Sequence, residues 1–272
     1  MKKVALITGA SSGMGKETAN ILHSQGYTVY GAARRTGEMN DLKSKGMGVV
    51  ALDLTNDASI VEAVNVVFEK EGRIDILINN AGYGSYGAVE DVPLDEARRQ
   101  FEVNLFGMAR LTQLVLPIMR RQQSGRIVNI SSMGGKVYTP MGAWYHATKH
   151  AVEGWSDCLR LELKQFGIDV VVVEPGIIKT SWGAVATENL KKSSGTGPYT
   201  AFANKVAASF EKMEASKQPT DAAVLGQTIA KAATARKPKT RYVKGHMAAL
   251  TIAVRKWFGD KVFDKVIMSQ VN

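Results

Sequence analysis

The stretch Val4-Ala-Leu-Ile-Thr-Gly-Ala-Ser-Ser-Gly-Met-Gly-Lys-Glu-Thr-Ala-Asn-Ile-Leu22 decides the fold. Val4 to Thr8 is a short apolar run with the composition of a buried strand, and the segment from Gly15 to Gln25 has helical spacing. Between them Gly9, Gly13 and Gly15 make a turn without Cβ obstruction that leads straight into a helix N-terminus. A dinucleotide pyrophosphate needs that combination: close backbone approach, free amides and the positive end of a helix dipole. Three glycines alone would only mark a tight turn; the strand before and the helix after make them informative.

Working outward, short β-branched runs alternate with longer amphipathic segments. The strands read as Val4 to Thr8, Thr28 to Ala33, Val49 to Leu52, Ile74 to Ile78, Ile127 to Ser131 and Asp169 to Val173. Helical spacing covers Gly15 to Gln25, Ile60 to Glu71, Leu94 to Gln123 and Tyr145 to Phe166, with Gly26, Gly72, Gly125 and Gly167 where those helices should stop. Continuous apolar strands such as Asp169-Val-Val-Val-Val173 suit a sheet covered on both faces. The expectation is one α/β domain over residues 1–272, a three-layer, doubly wound Rossmann-type fold with a mostly parallel sheet. Residues 181–200 lose periodicity and turn rich in Ser, Thr and Gly, which reads as a loop or substrate lid, and residues 246–272 form a C-terminal extension.

The 272 residues carry a formal charge of +10, but residues 1–188 balance, and residues 189–272 hold 15 basic against 5 acidic side chains. The charge is thus local to the last third and accompanies no nucleic-acid-binding motif, which argues against nucleic acid as a partner. The single cysteine, Cys158, cannot form an internal disulfide, and no apolar run reaches the length of a membrane helix. A reducing compartment and a cytoplasmic location are expected. Lys2 and Lys3 before Val4 to Ile7 imitate a signal peptide, but Thr8 and Gly9 end that run at once.

Further motifs follow in order: Asp53 after the third strand, Asn79-Asn-Ala-Gly82 after the fourth, Ser131-Ser132 after the fifth, Tyr145-x-x-x-Lys149, and Pro175-Gly-Ile-Ile-Lys-Thr180 after the sixth. With the spacing T-G-x-x-x-G-x-G at Thr8, this set over residues 4–180 resembles the short-chain dehydrogenase/reductase family, and the pattern looks like its hydroxysteroid and retinol dehydrogenase-like branch. The resemblance implies an alcohol–carbonyl oxidoreductase with a nicotinamide cofactor. It puts Ser11, Ser12, Met14, Leu54, Asn80, Ala81, Gly82, Pro175, Gly176, Ile178 and Thr180 beside that cofactor, together with the three turn glycines. Asp53 resembles the residue that meets the adenine amino group, though an Asx turn or helix cap would also account for it.

A site for NAD usually places an acid at the end of the second strand, whereas a 2′-phosphate requires a cation. Here the strand ends Ala32-Ala33-Arg34-Arg35, so NADP(H) is the expected cofactor, held by Arg34 and Arg35. Tyr145 and Lys149 lie one helical turn apart on one face, where an ammonium would draw the phenol pKa down towards neutrality. Resemblance adds that Tyr145 exchanges the proton with the substrate oxygen, that Lys149 binds the nicotinamide ribose, that Ser132 rather than Ser131 holds the same oxygen, and that Asn104 interrupts a helix and holds a water serving the lysine. Taken singly, a Tyr–Lys pair is usually a surface pair, a Ser pair a cap and Asn104 a buried hydrogen bonder; their joint order carries the reading. His146 and His150 flank the same turn without the further ligands a metal requires, so no metal is expected.

The substrate is expected to be a small carbonyl or alcohol compound, lipophilic because Met133, Val137, Tyr138, Trp144, Ile177 and Trp182 are candidate pocket walls; core or dimer contacts are the competing reading. A dinucleotide-sensing module without turnover is the alternative from another class. In Asp260 to Met268 the residues Val262, Phe263, Val266 and Ile267 form one stripe, read as a docked terminal helix, with an anionic membrane surface as the less favoured reading. Leu105, Met108, Ala109, Leu111, Thr112 and Val115, with Ala151, Val152, Trp155 and Leu159, are expected to pair across a two-fold axis in a homodimer or homotetramer.

Overall fold

The computed structural model describes residues 2–180 and 182–271. Strands β1 (Val4–Thr8), β2 (Thr28–Ala33), β3 (Gly48–Ala51), β4 (Ile76–Asn79), β5 (Gly125–Ile130), β6 (Ile168–Pro175) and β9 (Arg241–Lys244) form one sheet in the order β3-β2-β1-β4-β5-β6-β9, and every pairing is parallel. Two short strands, β7 (Ile178–Lys179) and β8 (Thr220–Asp221), pair with each other apart from it.

Alternate residues of the central strands enter two separate cores. Val4 and Leu6 join α3 (Asp57–Glu71), α5 (Gly107–Gln122) and the end of α6 (Ala143–Leu163) through residues such as Val67, Leu111 and Leu159. Ala5 and Ile7 join α1 (Gly13–Ser24), the short α2 (Asn40–Ser44) and α9 (Ala222–Thr234) through Leu22, Leu42 and Ile229. Both faces of the sheet are therefore dry, which is why its strands read as unbroken apolar runs. At Gly226 a Cβ would come 2.7 Å from Glu17 Cβ, so α9 lies close on α1.

Several expectations are corrected. The segment Leu94 to Gln123 is not one helix: α4 (Leu94–Phe101) and α5 are joined by a π-helical turn, Glu102–Phe106. Its stop is Gln123 in the left-handed region at φ 50°, while Gly125 already begins β5. The expected lid loop is largely a helix, α7 (Trp182–Ser194), packed against α8 (Thr200–Ala215); Ser181 lies outside the described residues. Ala186 and Leu190, one turn apart, are buried against Ala203, Val206 and Ala207, and that tertiary contact overrides the Ser, Thr and Gly composition.

The proposed two-fold stripes are mostly internal. Met108, Leu111, Thr112, Val115 and Val152 are buried, and only Leu105, Ala109, Ala151 and Trp155 remain half-buried. The final helix, α10 (Ala248–Ser269), carries a non-helical break at Gly259 and buries Phe263 and Ile267 but leaves Val262 and Val266 exposed, so the four do not form one buried stripe.

Candidate active site

The strand order reverses between β1 and β4, and in open α/β sheets ligands bind at the C-terminal edge of that point. Two turns, residues 8–15 and 79–82, meet there by hydrogen bonding. Thr8 Oγ1 accepts from the backbone N–H of Asn80 at 3.0 Å and of Ala81 at 2.9 Å, while Asn80 Nδ2 donates to the carbonyls of Thr8 at 3.0 Å and Gly9 at 3.2 Å. Gly9 has φ +66°, and a Cβ on it would fall 2.9 Å from Ala81 Cα; one on Gly15 would run into the Gly9 carbonyl. The Ser12 side chain at the start of α1 makes no capping hydrogen bond and no acid lies in the first turn, which leaves that helix end suited to an anion. Ser11 and Met14 belong to the same turn, and Thr180 closes on it, with its Cγ2 3.3 Å from where a Gly13 Cβ would stand. These residues fit a dinucleotide pyrophosphate.

At the end of β2, Arg34 and Arg35 are both exposed. Arg35 Nε pairs with Glu38 at 3.0 Å, whereas Arg34 makes no ion pair among the described residues. The Asp53 carboxyl accepts from Thr55 N at 2.9 Å and Thr55 Oγ1 at 2.8 Å, an Asx turn, and these bonds with the Arg34 and Arg99 charges hold its pKa down. Leu54 beneath it is buried against Gly107. Arg99 was not anticipated; it lines a groove of about 330 Å³ with Thr55, Arg98 and Glu102. A larger groove of about 390 Å³ is lined by residues of β8, β9 and the turn after β9, not by those around Tyr145.

The four candidate catalytic side chains converge beyond the ends of β4 and β5. Ser132 Oγ accepts from Gly134 N at 2.9 Å and lies beside the Tyr145 phenol; burial pushes that phenol up to about 12, with Ser132 pulling the other way. Lys149 is buried, donates from Nζ to the Ile130 carbonyl at 2.9 Å and stands 6.0 Å from the Tyr145 ring centroid. Burial brings its pKa down to about 8, opposed by Glu153. The expected lowering of the phenol pKa is therefore corrected: desolvation dominates, and the ammonium is directed at a carbonyl. Asn104 sits within the π-helical turn, accepting from Tyr83 N at 3.1 Å and donating to Tyr83 O at 2.9 Å and Thr148 Oγ1 at 3.1 Å. Gly82 lets these groups approach, since a Cβ there would fall 3.0 Å from Asn104 Oδ1 and 3.7 Å from Lys149 Nζ. Ser131 Oγ is buried without a hydrogen-bond partner.

His146 is structural. Its Nε2 accepts from Thr139 N at 3.0 Å, so Nδ1 carries the hydrogen and donates to the Gly134 carbonyl at 3.0 Å, and burial pushes its pKa down to about 4. His150 Nδ1 lies 2.9 Å from the His146 carbonyl.

Of the expected pocket walls, Trp182 packs against Tyr145 with centroids 5.1 Å apart and the rings tilted by 55°. Val137 and Tyr138 instead pack under α10 in one cluster with Phe263 and Ile267, with Met133 at its margin, and Tyr138 donates to Asp264 at 2.8 Å. Trp144 is half-buried with an unpartnered indole N–H, and Ile177 N bonds the His246 carbonyl at 3.0 Å. Pro175 ends β6, Gly176 N donates to the Lys244 carbonyl at 2.8 Å, and Ile178 is half-buried in β7. The walls that sequence reading missed are Tyr86, whose ring is 5.8 Å from that of Tyr145, and Phe210, 5.3 Å from Tyr86. Tyr86 follows the Asn-Asn-Ala-Gly turn between two glycines, which was a usable signal; Phe210 lies in a helix with no motif.

A glycine turn at the switch point, with a Tyr–Lys pair and a serine facing it, defines a nicotinamide-dinucleotide-binding α/β oxidoreductase. The family model described as short chain dehydrogenase matches residues 3–191, and the chain belongs to that family. It is 37% identical over 262 residues to the 3-ketodihydrosphingosine reductase of Bacteroides thetaiotaomicron, covering 96% of this chain and 94% of that protein. It is 33% identical over 281 residues to the NADPH-dependent 3-dehydrocapnine reductase of Ornithobacterium rhinotracheale, covering 99% and 98%. A short-chain dehydrogenase structure from Streptomyces avermitilis superposes with a TM-score of 0.78 at 34% identity, over 94% of this chain and 96% of that one. Family members act on small molecules. No helix among the described residues is long and apolar enough to cross a membrane.

Proposed function

We propose that the protein is an NADPH-dependent reductase of a lipophilic ketone or aldehyde, with Tyr145 as the general acid. The observation that carries this reading is the grouping of Ser132, Tyr145 and Lys149 beyond the ends of β4 and β5, with the Lys149 ammonium 6.0 Å from the Tyr145 ring; burial of the phenol, which raises its pKa, favours the protonated form that a general acid needs. Ser132 hydrogen-bonds the carbonyl oxygen and Tyr145 transfers its proton to that oxygen. Lys149 then stabilises the phenolate left behind, while Asn104 holds the Tyr83 backbone that borders the site. The bound reduced nicotinamide supplies the hydride.

Tyr86, Met141, Trp182 and Phe210 around the phenol support an apolar substrate, and the two relatives above carry names of reductases, one of a keto and one of a dehydro compound. Arg34, beyond Ala33 and without an ion pair among the described residues, supports NADPH; Arg35 pairs with Glu38. The Tyr–Lys pair whose loss would mark a sensor without turnover is intact, so no observation favours that alternative. The single cysteine accords with a cytoplasmic location. The half-buried Leu105, Ala109, Ala151 and Trp155, with Phe106 exposed at 55%, support a homodimer or homotetramer contact, which light scattering over a dilution series tests. The functional test is a panel of aliphatic ketones and aldehydes of increasing chain length with NADPH and NADH, followed at the nicotinamide absorbance. Turnover rising with chain length and with NADPH supports the reading; activity confined to NADH or to short polar carbonyls overturns it.

A further inference from the structure

Helix α10 is built inward by only a few residues. Ala248, Thr251, Phe263 and Ile267 are buried, the last two in the cluster with Val137. Its other side holds an unusual set: Trp257 is 74% exposed, Phe258 66% and Leu250 60%, followed past the break at Gly259 by Val262, Val266 and Met268. Leu250 and Trp257 are two helical turns apart and share a face, as do Val262 and Val266 one turn apart. A water-facing helix does not ordinarily display an adjacent Trp–Phe pair together with four further exposed large apolar side chains, here one before the break at Gly259 and three after it.

The charges around this face are predominantly basic, three free lysines against the one carboxylate, Asp264, that no cation pairs among the described residues. Both acids of the helix are engaged, Asp260 by Arg255 and Asp264 by the Tyr138 hydroxyl. Lys256, Lys261 and Lys265 are exposed and form no ion pair among the described residues, and Lys256 Nζ lies 5.3 Å over the Trp257 ring. They belong to the third of the chain that holds 15 basic against 5 acidic side chains. An exposed apolar ridge edged by free ammonium groups is complementary to an anionic lipid surface, where indole and phenyl rings enter the headgroup boundary and lysines meet phosphates.

We propose that α10 docks the protein on an anionic membrane surface through Leu250, Trp257, Phe258, Val262 and Val266, with Lys256, Lys261 and Lys265 supplying the charge. The helix lies on the surface and does not cross it. Its buried side covers the turn Met133–Gly135 that follows Ser132, and its first residue, Ala248, abuts Gly176, so docking brings a bilayer next to the site. Delivery of a lipophilic carbonyl from that bilayer rests on the function proposed above; the docking itself does not.

The test uses the full chain and sucrose-loaded vesicles, one set of phosphatidylcholine alone and one of equal parts phosphatidylcholine and phosphatidylglycerol. Sedimentation with the mixed vesicles only, weakened by added salt, is the expected result. Trp257→Ser with Phe258→Ser, and separately Lys256→Gln with Lys261→Gln and Lys265→Gln, should each reduce binding at least about tenfold while circular dichroism and turnover in vesicle-free buffer stay as in the parent. No sedimentation, equal sedimentation with both vesicle types, or undiminished binding by the variants overturns the proposal. So does a doubled mass in light scattering that the Trp257→Ser, Phe258→Ser variant loses, which would give the face to a second copy of the chain. Vesicle binding requires no turnover, so an inactive protein that sediments would refute the reductase reading alone.

Discussion

Arg241→Met removes the cation at the centre of a buried charge cluster beneath Lys149. The Arg241 guanidinium meets Glu153 Oε2 at 3.0 Å, Asp157 Oδ2 at 2.7 Å and Glu174 Oε1 at 3.2 Å, tying edge strand β9 to α6 and β6. Glu153 and Glu174 side chains are 5% and 2% exposed, and the remaining cation, Lys136, is 2.9 Å from Glu153 but 3.9 Å from Glu174. Stranding buried carboxylates costs about 3–5 kcal/mol, and Arg241 being one quarter exposed puts the loss near the lower end, ~3 kcal/mol. The loss should depend on pH. Burial, reinforced by Glu153, raises the folded pKa of Glu174 from 4.5 to about 7. Its contribution to stability is therefore full below its unfolded value and is lost as pH rises through about 7. Without Arg241, which pulls that pKa down, the window extends upward, so the variant should suffer most at pH 8 and roughly half as much at pH 5.5, where Glu174 already carries a proton. Urea unfolding at both pH values measures this, and adding Glu174→Gln should recover much of the pH 8 loss. A loss below about 1 kcal/mol at pH 8, or one equal at both pH values, would refute the reasoning.

Gly15→Ala should destabilise the protein by about 1–3 kcal/mol and abolish measurable NADPH binding, because the new Cβ meets the Gly9 carbonyl and no flexible side chain can yield; thermal unfolding and nicotinamide fluorescence read the two effects. Arg34→Asp should weaken NADPH by at least about tenfold and leave NADH unchanged or tighter, since it replaces phosphate attraction by repulsion; parallel fluorescence titrations of the two cofactors decide it. The kcat/KM for reduction should fall as pH rises past about 8, where Lys149 loses the charge that receives the phenolate; a flat profile to pH 10 would remove Lys149 from that role.

Much of the first 180 residues was legible because the central elements bury periodic faces in one of two cores, β1 and β2 having the bounds their apolar runs suggest, whereas the π-helical break between α4 and α5 and the short α2 were not. Ile74 and Asp75 read as strand but precede its assigned start at Ile76, although Asp75 already donates to the Val4 carbonyl at 2.9 Å and accepts from Arg126 N at 2.8 Å. The last third was opaque for physical reasons. α7 exists through the burial of Ala186 and Leu190 on α8, a contact no local pattern reveals, and β9 is a short, charged edge strand whose Arg241 is explained by acids far back in the chain, Glu153, Asp157 and Glu174. The same holds in the site. Tyr145 and Lys149 were read from helical spacing and Ser132 and Asn104 from the resemblance, and the structure brings the four near one another, whereas Val137 and Tyr138 were misplaced because α10 covers them from the far end of the chain.

The central claim is that the Tyr145 hydroxyl delivers the proton. Tyr145→Phe retains the ring that packs on Tyr86 and Trp182 and removes only that hydroxyl. The measurement is the single-turnover rate of NADPH oxidation by the best ketone of the panel, alongside the NADPH dissociation constant. The account predicts unchanged NADPH affinity and a rate lower by about 10²–10⁴-fold; a rate within a few-fold of the parent would contradict it.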